Sequence, residues 1–123
     1  MKLEFPKDFL WGTATSAHQV EGNNINTDVW AEEYSKGSPY ADKSGDAIAH
    51  YSLYKEDIKL MADLGIKVYR FSIEWARIEP EEGFYSEMEL EHYKDVVNTC
   101  LEYGITPLVT MHHFTSPRWL MRI

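Results

Sequence analysis

The chain has 123 residues, 44% of them hydrophobic and 26% charged, which is the balance of a globular domain and excludes a disordered chain. A formal net charge of −8 excludes the clustered Lys and Arg that neutralise phosphates, so neither nucleic acid nor an anionic membrane is an expected partner. The single cysteine, Cys100, excludes an internal disulfide framework, and no apolar run is long enough to cross a bilayer.

Aromatic residues reach 14%, a share that serves cores and sugar-binding faces alike. At the N-terminus Glu4, Pro6 and Asp8 interrupt the stretch that a secretory signal would need to be apolar, so a cytoplasmic protein is expected.

In chain order, a first strand is expected at about Phe9–Thr13, followed by a long polar connection, Asn23–Gly45, without a sustained period. The first helix is expected over Tyr51–Leu64. Tyr51, Tyr54, Ile58 and Met61 recur every three or four positions, Leu60 and Leu64 widen the stripe, and Lys55, Glu56, Lys59 and Asp63 oppose it. Glu56 and Asp57 read as solvated. Gly65 follows where a left-handed cap belongs. The stretch IKVYRFSIEW then reads as a buried strand. A second helix starts at Ser86, with Glu89 three residues on as a capping box, and buries Tyr93, Val97, Cys100 and Leu101 before Gly104 ends it. The buried strand ITPLVTMHHF follows. The two glycines lie 39 residues apart, and the repeated order of helix, glycine and strand is the mark of successive β/α units around a parallel sheet.

The strand beginning at Val68 carries the most information. Period two places Tyr69, Phe71 and Ile73 on one face, suited to packing on helices, and Val68, Arg70 and Ser72 on the other. An unpaired arginine enclosed by an open two-layer domain costs several kcal/mol. In a barrel the same arginine reaches acidic groups at the mouth. A structural bridge to Glu21 or Glu74 is the other reading of Arg70.

Four stretches resemble the family 1 glycoside hydrolases: Phe5–Gly22 (FPKDFLWGTATSAHQVEG), His50–Tyr51, Tyr54–Pro80 (YKEDIKLMADLGIKVYRFSIEWARIEP) and Gly104–Leu120 (GITPLVTMHHFTSPRWL). The first carries the family's N-terminal pattern Phe-Leu-Trp-Gly-Xaa-Ala-Thr followed by Gln-Xaa-Glu-Gly. The resemblance implies an α/β fold, the N-terminal portion of a (β/α)8 TIM barrel comprising about three strands and two helices, with residues 1–123 forming part of a single barrel domain. It also implies retaining hydrolysis of β-glucosides or β-galactosides by two glutamates, without cofactor or metal.

Those glutamates belong to Asn-Glu-Pro and Glu-Asn-Gly motifs. Here no Asn is followed by Glu and no Glu by Asn, so both are expected beyond Ile123. By the same resemblance Gln19 binds hydroxyls of the sugar in the cleaved subsite, a task suited to an amide that donates and accepts at once. His113 binds a neighbouring hydroxyl, and Arg70 holds the nucleophilic carboxylate ionised and oriented. Three departures stand out. Phe114 replaces a frequent Trp, Ala49 stands where an Asp usually precedes His50-Tyr51, and Asn24–Tyr34 keeps only Trp30 of the usual pattern.

Blander readings accompany each residue. Gln19 also suits a loop amide that satisfies backbone groups. His112 and His113, adjacent on an extended segment, point to opposite faces and cannot both bind one ion undistorted. Glu74 reads as a structural or rim carboxylate. Trp11, Trp30, Trp75 and Trp119 read as packing residues, and Cys100 as a small buried apolar one. A non-catalytic sugar-binding module and a split-gene product are the alternatives for the whole chain. Three parallel strands with open edges argue against an autonomous module.

Overall fold

The structure, a computed structural model, describes residues 1–122. Three parallel strands form one sheet in the order β1 (Gly12–Ala14), β2 (Val68–Ser72) and β3 (Thr106–Thr110). Gly12 pairs with Val68 and Val68 with Thr106; Ala14, Arg70 and Leu108 share the register line at mid-sheet. Between β1 and β2 lie α1 (Ala17–Val20), α2 (Asp28–Glu33) and α3 (His50–Asp63). Between β2 and β3 lie α4 (Trp75–Ile78) and α5 (Glu87–Glu102), and a 3-10 turn spans Arg118–Arg122. No helix is long and apolar enough to cross a membrane.

The two long helices form for the reasons legible in the sequence, and they end alike. In α3, Ile66 N–H returns to the Met61 carbonyl (3.0 Å) and Gly65 N–H to Ala62 (2.9 Å). In α5, Ile105 N–H returns to Cys100 (2.9 Å) and Gly104 N–H to Leu101 (3.0 Å). Both are Schellman caps, with glycine supplying the left-handed residue at φ 83° and 69°. The isoleucine after each glycine turns straight back toward the sheet, which aims the chain into the next strand. At the other end of α5, the Ser86 hydroxyl accepts from Glu89 N–H, but the return half of the expected capping box is not made: Ser86 N–H donates to the Ile78 carbonyl, and Glu89 Oε2 accepts from Tyr51 Oη.

The core lies between one face of β2 and these helices. Tyr69 and Phe71 pack with Ile58, Val96, Cys100 and Ile105, each worth about 1.5–3 kcal/mol if fully withdrawn from water. The alternation along β2 is as expected, and so is the burial of Cys100, whose thiol is pushed by burial up to about 11.

Several expectations are corrected. Leu60, Leu64 and Leu101 do not join the core but are exposed; Val96 takes the buried place in α5, because the row that meets β2 runs Tyr93, Val96, Cys100. The strand β3, expected to be buried, is not, and β1 is exposed as well. They form the sheet's edges, and the sheet's second face has no covering layer among the described residues. The connection 23–45 contains α2, capped by Thr27, whose hydroxyl accepts from Trp30 N–H. Six residues are too few to show a helical period. Asp57 is not simply solvated either, since it accepts from His50 Nδ1 at 2.7 Å.

Candidate functional site

The chain leaving each strand turns at the same end of the sheet, so α1, α4 and the segment after Thr110 meet there. Three groups of buried polar contacts lock them together. Ala17 N–H donates to the Ser72 hydroxyl at 2.7 Å, fastening α1 to the end of β2. His18 Nε2 lies 2.9 Å from Glu33 Oε1, both side chains nearly inaccessible, while the other Glu33 oxygen accepts from Ser44 N–H and Oγ. Burial pushes the Glu33 carboxyl up, but the hydrogen bonds from His18 and Ser44 outweigh it and leave it below the usual carboxylate value.

A second group centres on Glu21, which accepts from Tyr93 Oη (2.7 Å), Asn24 Nδ2 (3.0 Å) and Arg77 Nε (3.2 Å). Burial dominates there and raises its carboxyl above the usual range, with the Tyr93 and Asn24 bonds opposing. The third is Glu74, fully buried. It accepts from Ala76 N–H and from Thr115 Oγ1 (2.8 Å), and burial again raises it.

Against this frame, Gln19 sits on α1 with its side chain exposed and its Oε1 accepting from Ser16 Oγ at 2.6 Å. It lines a cleft of about 680 Å³ with His18, Tyr40, Lys43, Phe114 and Thr115. Phe114 and Thr115 are the immediate neighbours of His113, which is half-buried just past β3. Arg70 lies exposed in the middle of β2, on the face away from the helices. Its bridge to Glu21 or Glu74 is overturned: Glu21 is taken by Arg77, Asn24 and Tyr93, and Glu74 by Thr115 and Ala76. Glu74 is structural, as expected. Trp75 and Trp119 also pack as expected, at 5.8 Å between rings, each indole N–H donating to Glu79. Trp30 stacks on Tyr34, and Trp11 joins an exposed cluster with Phe5 and Phe9. The carboxylates Glu21, Glu33 and Glu74 as organisers of the loops were not legible from spacing, because their partners are remote in sequence.

These features define a parallel α/β unit in which the segments after β1 and β3 line one cleft at the C-terminal end of the sheet, the position at which barrel enzymes bind their substrates. The chain belongs to Glycosyl hydrolase family 1, whose family model matches residues 1–123. It is 43% identical to β-glucosidase A of Acetivibrio thermocellus over 97% of this chain and 28% of that relative. A crystal structure of a β-glycosidase superposes with a TM-score of 0.93 at 61% identity, covering 96% of this chain and 28% of the other. A β-glycosidase from Pyrococcus horikoshii superposes with a TM-score of 0.87 at 50% identity, over 99% and 28%. The chain therefore spans little more than a quarter of the length of these relatives, and its sheet is the N-terminal portion of a (β/α)8 barrel.

Proposed function

We propose that the segment serves a retaining β-glycosidase, acting on β-glucosides or β-galactosides, for which it supplies sugar-binding groups while both catalytic glutamates lie beyond Ile123. The observation that carries this reading is the family match along the whole chain, joined to a cleft that gathers Gln19 and the neighbours of His113. In that reading the Gln19 amide and the His113 ring bind hydroxyls of the sugar in the cleaved subsite. Arg70, exposed and without a carboxylate partner among the described residues, is in the same reading the group that holds the nucleophilic carboxylate. Its fixed charge lowers the energy of the ionised nucleophile and so favours attack at the anomeric carbon. Geometry supports this assignment in one further way: α1 is fastened to β2 through Ser72, so Gln19 is presented from a held element.

The test is hydrolysis of 4-nitrophenyl β-glucoside and β-galactoside by the complete polypeptide that carries this segment, with the anomeric configuration of the first product read by NMR. Retention is expected; inversion, or no hydrolysis of any β-glycoside, overturns the reading. Gln19→Ala is expected to lower kcat/KM about 10- to 100-fold, the loss of one or two hydroxyl contacts. The 123-residue chain alone is expected to be catalytically silent.

A further inference from the structure

We propose that Glu74 is a positioning residue for sugar binding by His113, acting through Thr115 to hold a strained turn in place. The inference rests on the sugar-binding assignment of His113 made above.

Beyond β3 the chain makes a three-residue turn. Thr115 N–H donates to the His113 carbonyl at 2.9 Å, and Phe114 between them has φ 67°. A turn closed over three residues with a positive central φ is the rare, strained form of the γ-turn. A bulky aromatic residue there is an outlier, which persists only where the surroundings over-determine the geometry. Phe114 does not supply that constraint itself, because its side chain is 68% exposed. The His113 ring meets it edge-on, 4.6 Å between centroids, so the two rings are oriented together.

The constraint comes from the next residue. Thr115 is buried, and its hydroxyl donates to Glu74 Oε2 at 2.8 Å. Glu74 is itself fixed from both ends: Oε1 accepts from Ala76 N–H, and its own N–H donates to Tyr93 Oη at 3.0 Å. Tyr93 in turn donates to Glu21. The strained turn after β3 is thus clamped to the end of β2 and to α5. A clamp of this kind sets where the His113 ring stands when a sugar hydroxyl arrives, and small displacements of such a group cost rate steeply.

The experiment is a double-mutant cycle in the complete enzyme carrying this segment, with kcat and KM for 4-nitrophenyl β-glucoside and the melting temperature recorded for each variant. Thr115→Val removes the hydroxyl and keeps the shape. It is expected to lower kcat/KM about tenfold, mostly through KM, and to cause no further loss in a His113→Ala background. Glu74→Leu is expected to match Thr115→Val. Glu74→Gln, whose amide can accept from Ala76 N–H and donate to Thr115, is expected to stay within about threefold of the parent. Losses that multiply with His113→Ala, or a Thr115→Val enzyme as active as the parent, overturn the role of Glu74 alone. A His113→Ala enzyme with unchanged kcat/KM overturns the site assignment and this inference together. Should Thr115→Val not fold, Thr115→Ala carries the same cycle with the same outcomes.

Discussion

Ala49 occupies the N-cap of α3 with φ 55°, a left-handed conformation that costs a non-glycine residue about 1–2 kcal/mol, and it offers no side-chain cap. Asn tolerates that region and carries a capping oxygen. Ala49→Asn is therefore expected to stabilise the fold by about 0.5–1 kcal/mol, measured by thermal unfolding; an unchanged or lower midpoint would contradict the strain. On α5, His92 stacks on Tyr51 with ring centroids 3.9 Å apart, while the Arg77 guanidinium covers the same phenol ring at 4.1 Å. Burial pushes His92 down to about 4, and the Arg77 charge adds to the effect. Between that value and the ordinary 6.5 the folded chain binds fewer protons than the unfolded one. This contribution to stability is thus complete above pH 6.5 and is lost as the pH falls toward about 4. Glu21 and Glu74, raised by burial, act in the opposite sense, since they favour the folded state where carboxyls are protonated. The contribution of His92 is isolated by difference. His92→Phe keeps the ring stack and removes the titrating group, so the parent should lose stability relative to the variant as the pH falls from 6.5 toward about 4; a difference independent of pH would refute a neutral buried histidine.

Among the elements, the glycines separate backbone demand from crowding. At Gly65 an added Cβ meets nothing within 4 Å, so only the left-handed φ of 83° opposes a side chain. Gly65→Ala is expected to cost about 1–2 kcal/mol, the strain by itself. At Gly22 the φ is similar, but the Cβ would stand 2.3 Å from the Asp46 carbonyl oxygen. Backbone cannot yield there without moving the start of α3. Gly22→Ala should cost clearly more than Gly65→Ala in denaturant unfolding, and equal costs would show the contact to be soft. The helix caps and the β2 alternation were legible because glycine, capping serine and period two are local properties. α2 was not, since a six-residue helix held by Thr27 and buried at Glu33 has no period to read.

For the whole molecule, the sheet is open. Both edge strands are unpaired on one side among the described residues. Apolar groups stand in solvent on the sheet's second face, just past β3 and at the N-terminus, with Leu108 56%, Met111 70% and Phe5 57% exposed. Such edges and faces pair with whatever is available, and a barrel of this class needs on the order of 250 residues to close. The 123-residue polypeptide by itself is expected to self-associate in light scattering, whereas a monodisperse monomer with a cooperative two-state transition would show that this segment closes its own core.

What the sequence by itself determined is the local grammar: two amphipathic helices, the glycine turns that stop them, the strand that buries Tyr69 and Phe71, and the motifs that carry the family. Only the tertiary structure decided which polar groups hold the cleft. Tyr93 and Glu21 are 72 residues apart, Arg77 and Glu21 are 56, and Thr115 and Glu74 are 41. No period or spacing announces such pairs, because each is set by where parallel strands end in space. The same reason removed Arg70 from Glu21 and Glu74: both carboxylates face partners on the loops and α5, while Arg70 faces across the sheet to its other side.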